Sequence, residues 1–300
     1  MRTFLLSCLL LLCSYSSQAN DGAYLGSGNH LIPINETDIS VKKEILTITL
    51  VGDKAVVDVY YEMYNPGKEK KVMVGFEAPS PGGDASDELK DNGHPYISDF
   101  TISVNDAKRD YTINYFIKDN PDYQRSMSLK EFKKYIENYG ESQYVLSYVF
   151  SANFVKGINI IKHTYTYEMS SNVDLVFSFD YILTAANRWA NNGIDDFTLN
   201  IKTGKEPYIA ILPTFFSKTK GWSIIGKGTM KYGLNPDVNT QEDFKKSLWF
   251  FVDNGFIQFK KKKFHPKGEL DFCKPNDFNK DSDILKWAEK QFSLLKSKKR

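Results

Sequence analysis

Acidic side chains are the residues of this chain best spaced for chemistry. Asp277, Asn279, Asp281 and Asp283 alternate along one short run, and oxygen ligands at that spacing open a calcium loop. The rest of the loop does not follow. Ser282 stands where the sharp turn needs glycine, Ala288 stands where the bidentate Glu belongs, and Glu289 comes one residue late. The competing reading is a helix start, with Asp281 or Ser282 as cap and acids gathered at the positive end. Calcium at Asp277, Asn279, Asp281 and Asp283 is therefore the weaker expectation, and no other cofactor is expected. A second acidic set, Asp84, Asp87, Glu88 and Asp91 with Asn92, lies in a glycine-rich stretch. Its spacing does not match an EF-hand, so it reads as a solvated loop.

Other chemistries find less support. His30, His94, His163 and His265 are scattered, and none sits at a metal-ligand spacing. His163, in IIKHTYTYE, reads as a sheet residue. No nucleophile elbow, phosphate loop or dinucleotide fingerprint is present, and no catalytic residue is assigned. A hydrolase needs only two carboxylates across a cleft. The 37 acidic residues leave that open without pointing to a pair.

Binding has a better candidate. Trp189 sits in ANRWANNG beside Arg188 and Asn191, with Asn187, Asn192 and Asp195 close by. A flat ring among hydrogen-bonding groups suits stacking on a sugar. The bland alternative is a Trp that plugs the end of a core, and it is the favoured one. His94 and Tyr96 close the acidic loop and complete the predicted surface. The run Lys260 to Lys263 suits an anionic surface, but lysines on an edge also block strand-to-strand aggregation.

The elements that carry these residues are mostly strands. Leu46, Ile48 and Leu50 alternate with Thr47 and Thr49, and Val72, Val74 and Phe76 alternate with Met73 and Gly75. A period of two marks a strand with one face buried. Residues 39–78 read as a three-stranded antiparallel meander turning at Val51 to Lys54 and at Asn65-Pro66-Gly67. Further strands are predicted at 96–104, 111–117, 144–154, 158–169, 173–185, 197–201, 209–212, 222–232 and 248–260, with Asp253-Asn254-Gly255 as a hairpin turn. Two helices are predicted. Ser128 and Glu131 form a capping box for 128–138, and Leu129, Phe132, Tyr135 and Ile136 share a face. Ile284, Trp287, Ala288, Gln291, Phe292 and Leu295 share a face of 281–295, which should dock on the sheet.

Phe (21) and Tyr (18) dominate the aromatics at 14% of the chain, which favours pleated surfaces. Strands follow strands, so the fold class is mainly β, an antiparallel β-sandwich architecture in two sandwich-like units with one internal and one C-terminal helix. The predicted division is 20–126, a helix at 127–140, 141–275, and 276–300 with a basic tail. Strands of the later half completing the first sheet is the alternative. A net charge of +2 leaves no bulk electrostatic case for nucleic acid.

Residues 1–19 read as a signal peptide: Arg2, an apolar run to Cys13, then Ser17-Gln18-Ala19. No later stretch is long and apolar enough to span a membrane. A lipoprotein is disfavoured, because Leu12 before Cys13 is too large and little apolar sequence precedes Cys8. Cleavage leaves Cys273 alone, so the monomer would have no disulfide. That points to an exported periplasmic or extracellular bacterial protein, with Cys273 read as a small buried hydrophobe.

The phrases NDGAYLGSGNHLIPINETDISVKKEIL, YYEMYNPGKEKKVMVGFE, KGINIIKHTYTYE and YILTAANRWANNGID resemble an uncharacterised family of exported bacterial proteins. Its members often carry a C-terminal YARHG domain. The resemblance spans roughly Asn20 to Ile201, and the YARHG element itself is not found here. It implies export and a β-rich fold and transfers no activity. The expectation is a non-catalytic binding or scaffold protein of the envelope, with a glycan or protein as partner. An envelope hydrolase and a structural assembly component are the alternatives.

Overall fold

The computed structural model describes residues 31–33, 38–77, 93–117, 127–139, 144–172, 175–234, 246–276 and 283–297. Its strands form two sheets that face each other. The small sheet has the order β1 (Leu31–Pro33), β4 (Lys70–Glu77), β8 (Tyr144–Phe154), β7 (Tyr111–Ile117). The large sheet begins with β10 (Leu175–Tyr181), β15 (Leu270–Pro275), β12 (Tyr208–Ile211), β14 (Leu248–Phe264) and β11 (Ile194–Lys202). It continues with β2 (Ser40–Val51), β3 (Lys54–Asn65), β9 (Gly157–Glu168), β5 (Ile97–Val104) and β6 (Ala107–Lys108), while β13 (Trp222–Tyr232) pairs with β14 off that path. All pairings are antiparallel except β11 with β2. The architecture is mainly β and sandwich-like, as the strand pattern predicts.

Alternation builds the core. Leu46, Ile48 and Leu50 of β2 and Ala55, Val57, Val59, Tyr61 and Met63 of β3 are all buried. Val72, Val74 and Phe76 of β4 meet them from the small sheet in one continuous cluster. The Phe76 ring lies 5.2 Å from Phe100, 5.0 Å from Tyr165 and 4.8 Å from His163, all on the large sheet. Side chains that interdigitate this way are what hold two stacked sheets together.

The predicted meander is only half right. β2 and β3 form the hairpin around Gly52-Asp53, but β4 crosses to the small sheet and pairs with β8. Alternation reports that a strand has a buried face, not which sheet it joins. The turn at Asn65 does form, with Asn65 Oδ1 accepting the Gly67 N–H at 3.0 Å. The predicted hairpin at Asp253-Asn254-Gly255 is not a turn. β14 runs through it, and the register against β13 shifts there, with Lys227 opposite Asn254 and Gly228 opposite Val252. Asp253 is the extra residue of a bulge. Gly226 (φ 125°) and Gly255 (φ 108°) face each other beside it, in a backbone region that side chains disfavour.

Strands on either side of the internal helix pair in both sheets: β4 with β8, β3 with β9, and β2 with β11. That helix, α1 (Leu129–Tyr139), begins at the expected capping box. Ser128 N–H donates to Glu131 Oε2 at 2.8 Å, and Glu131 N–H donates to Ser128 Oγ at 3.3 Å. Phe132 packs with Tyr115, Met127 and Leu146 at one end of the small sheet, in phase with the core-facing Tyr148 and Phe150. The C-terminal helix, α2 (Asp283–Ser297), buries Ile284 and Ala288 against Tyr208, Trp249, Phe251 and Cys273 of the large sheet. It docks as its apolar face predicts, and Cys273 is buried.

Candidate functional site

The predicted Trp189 corner is a plug, not a platform. A 3-10 turn, Thr184–Arg188, ends at Trp189, whose side chain is 3% exposed and belongs to the inter-sheet core. A ring packed on both faces has none left for a sugar, so stacking at Trp189 is withdrawn. Asn191 accepts the Val41 N–H at 3.2 Å, donates to the Val41 carbonyl at 2.9 Å and donates to Asp195 at 3.1 Å. Its amide ties the turn to β2. Arg188 is exposed. His94 and Tyr96 are both buried. His94 Nδ1 accepts the backbone N–H groups of Tyr96 and Ile97 at 3.3 and 3.1 Å, and its ring stacks on Tyr148 at 5.3 Å. These two residues lead into β5, and Trp189 precedes β11 with β2, β3 and β9 in between. The structure therefore does not gather the predicted residues into one surface.

Of the calcium candidates, Asp283 is the exposed first residue of α2, while Asp277, Asn279 and Asp281 lie outside the described residues. So do the acidic stretch from Asp84 to Asn92 and the signal segment. Among the described residues no group of three His, Cys, Asp or Glu side chains converges as metal ligands would.

A different place emerges from the topology. Among the connections that change sheet, β3 to β4, β6 to β7, and β8 to β9 lie at one end of the sandwich. Asparagines pin this end of the sandwich. Asn65, fully buried, donates to the Phe154 carbonyl at 3.0 Å and to the Lys68 carbonyl at 2.9 Å. Asn159, also fully buried, donates to the Val155 carbonyl at 2.8 Å and accepts the Val155 N–H at 2.9 Å. Asn105 donates to Asn159 Oδ1 at 3.0 Å and accepts the Ile160 N–H at 2.8 Å. A buried polar group persists only when satisfied, and these amides stand in for the sheet ladder where the chain leaves it.

Beside those crossings lies a groove of roughly 380 Å³, lined by Lys71, Arg109, Asp110, Ser151 and Asn153. Lys71 and Asn153 are cross-strand partners on β4 and β8, and Ser151 partners Met73. Alternation turns Val72, Phe150, Ala152 and Phe154 into the core, so Lys71, Ser151 and Asn153 face outward from the small sheet. Arg109 and Asp110 form the link from β6 to β7. The Arg109 N–H donates to the Ile102 carbonyl at 2.9 Å, and Arg109 Nε is buried without a hydrogen-bond partner. Asn153 donates to Glu69 Oε1 at 3.0 Å on the rim. The arrangement presents two cations, a carboxylate, a hydroxyl and an amide to one depression, on a rigid sheet and a sheet-crossing link.

No protein-family profile matches the chain, and no curated protein matches it by sequence. Its fold is similar to that of a Legionella pneumophila protein described provisionally as a nutrient binding protein. The TM-score is 0.50 at 15% identity, over 85% of this chain and 72% of that one. At that identity the likeness speaks for the fold alone. Yeast LTA4 hydrolase aligns with 80% of this chain and 29% of its own, at 9% identity and a TM-score of 0.34, too slight to carry an argument.

The interior holds a second polar cluster. Glu44, 3% exposed, points inward from β2 among Leu46, Ile48 and Leu50. Tyr181 donates to Glu44 Oε1 at 3.4 Å, and the Tyr61 and Tyr181 hydroxyls are 3.3 Å apart. Burial pushes the Glu44 carboxyl from its ordinary 4.5 up to about 8, against the smaller opposing effect of the tyrosine hydroxyls. His163 is fully buried 6.1 Å from the Tyr61 ring, with neither nitrogen hydrogen-bonded, and burial lowers it from 6.5 to about 3. Both groups are thus neutral near pH 7. The reading of His163 as a sheet residue agrees with its place on β9. Glu44 was visible in the sequence as the next position in phase before Leu46. The groove had no such signal, because it depends on where three strands change sheet.

Proposed function

We propose that the protein is a non-catalytic ligand-binding protein exported to the bacterial envelope, and that the outer groove on the small sheet takes a glycan. One observation carries this reading: among the described residues, five polar ones from β4, β8 and the β6–β7 link line one open depression. Hydroxyl, amide and carboxylate groups held on strands are how a rigid scaffold recognises sugar hydroxyls. The signal segment and the resemblance to YARHG-associated exported proteins support the envelope location, and the likeness in fold to a provisional nutrient binding protein is compatible with it.

The test is a glycan array with the purified protein and an Asn153→Ala, Ser151→Val double variant. Retained glycans on the native chain and loss in the variant, with unchanged thermal unfolding, would support the reading. An array with no retained glycan would end it.

A further inference from the structure

We infer that the groove selects ligands with an anionic group, a carboxylate or a phosphate carried on a hydroxylated molecule, and that Arg109 and Lys71 receive it. This rests on the groove being a binding site. Lys42, Lys43, Lys54, Lys70, Lys162, Lys262 and Lys274 each lie within 4.0 Å of a carboxylate, while other described lysines, Lys108 and Lys156 among them, do not. Among the described residues neither Lys71 nor Arg109 has such a partner, although Asp110 adjoins Arg109 in the chain. Glu69 at the rim accepts the Asn153 amide. Arg109 Nε is buried and unpaired, and a buried donor left unmet carries a desolvation cost that a ligand oxygen removes. The guanidinium fork matches a carboxylate or phosphate with two parallel hydrogen bonds, and Lys71 adds a point charge across the groove.

Asp110 sets the second requirement. A bare anion meets its repulsion, whereas a sugar with a hydroxyl next to the anionic group donates to Asp110 while the anion sits on Arg109. Ser151 and Asn153 take further hydroxyls. An acidic saccharide offers a partner to each of the described lining residues, and a neutral one leaves the two cations unmet.

Calorimetric titration decides this with three probes: a uronic-acid oligosaccharide, its carboxyl-reduced neutral counterpart, and a phosphorylated hexose. The acidic oligosaccharide should bind at least about tenfold more tightly than the neutral one, with the advantage shrinking as salt rises. Arg109→Gln, and separately the exposed Lys71→Gln, should remove most of that advantage, weakening the acidic probe several-fold more than the neutral one. The phosphorylated hexose separates phosphate from carboxylate preference. Equal binding of acidic and neutral probes would overturn the anion assignment and leave the groove standing. An advantage that survives both substitutions would overturn the role of these two residues. Binding of none of the three would overturn the groove as a saccharide site, and this inference with it.

Discussion

Glu44 and Tyr181, 137 residues apart in the chain, meet inside the sandwich at 3.4 Å, with no cation in the contact. Among the described residues the carboxyl is held by tyrosine hydroxyls, so it is the neutral acid that the fold favours. His163 shares the condition from the opposite sign of charge.

Their titration makes stability depend on pH in a definable way. The folded Glu44 titrates near 8 rather than 4.5, so its stabilising effect is full below about 4.5 and is lost as pH rises towards 8. The folded His163 titrates near 3 rather than 6.5, so its effect is full above about 6.5 and is lost as pH falls towards 3. Each limb has a limiting slope of about 1.4 kcal/mol per pH unit. Between 4.5 and 6.5 the two slopes oppose. Urea unfolding across pH should show Glu44→Gln flattening the alkaline limb and His163→Phe flattening the acid limb. An unchanged alkaline limb in Glu44→Gln would contradict a buried neutral Glu44.

The asparagine corner should be costly to remove. Asn159 donates to the carbonyls of Val155 and Gly157 and accepts from Val155 N–H and Asn105 Nδ2. Asn159→Ala leaves those groups unpaired in the interior, and a loss of about 2 to 4 kcal/mol follows. Denaturant unfolding measures it. A change below about 0.5 kcal/mol would show that the corner is held by the strands alone.

How far the sequence carries one is clear from particular residues. The capping box at Ser128 and Glu131, the apolar face of α2 and the alternation in β2 and β3 are local, and each is legible. The path of β4 is not, because Val72, Val74 and Phe76 bury the same face whichever sheet takes them. The triplet Asp253-Asn254-Gly255 reads as a turn until β13 is seen pairing straight across it. The sequence of Trp189 and its neighbours fits a sugar platform as well as the favoured core plug, because exposure cannot be read from residue type. The groove lies furthest from the sequence, since Lys71, Arg109 and Ser151 become neighbours only through three sheet crossings.

Two glycines should respond to alanine to very different degrees. A Cβ on Gly255 would sit 1.9 Å from the Ile225 carbonyl oxygen, and φ there is +108°. Gly255→Ala must separate β13 from β14 and should cost several-fold more than Gly52→Ala. Gly52 has φ +63° and open space around the added carbon, so its cost is the left-handed backbone alone, about 1 kcal/mol. Thermal unfolding of the two variants checks the order, and equal shifts would contradict the bulge.

Cys273 should be chemically silent in the folded protein. It is buried between β12 and β10, and burial pushes its thiol well above the ordinary range. A maleimide added at neutral pH should label it only after denaturant has opened the fold. Labelling at the rate of a free thiol in native buffer would place Cys273 at the surface.

Amide exchange with a bound glycan tests the central claim most directly. A glycan retained on the array, added at saturating concentration, should slow backbone exchange at Lys71, Arg109, Asp110 and residues 151–153. The stretch 184–191 around Trp189 should stay unchanged. Protection centred on 184–191 with none on β8 would contradict the groove as the binding site.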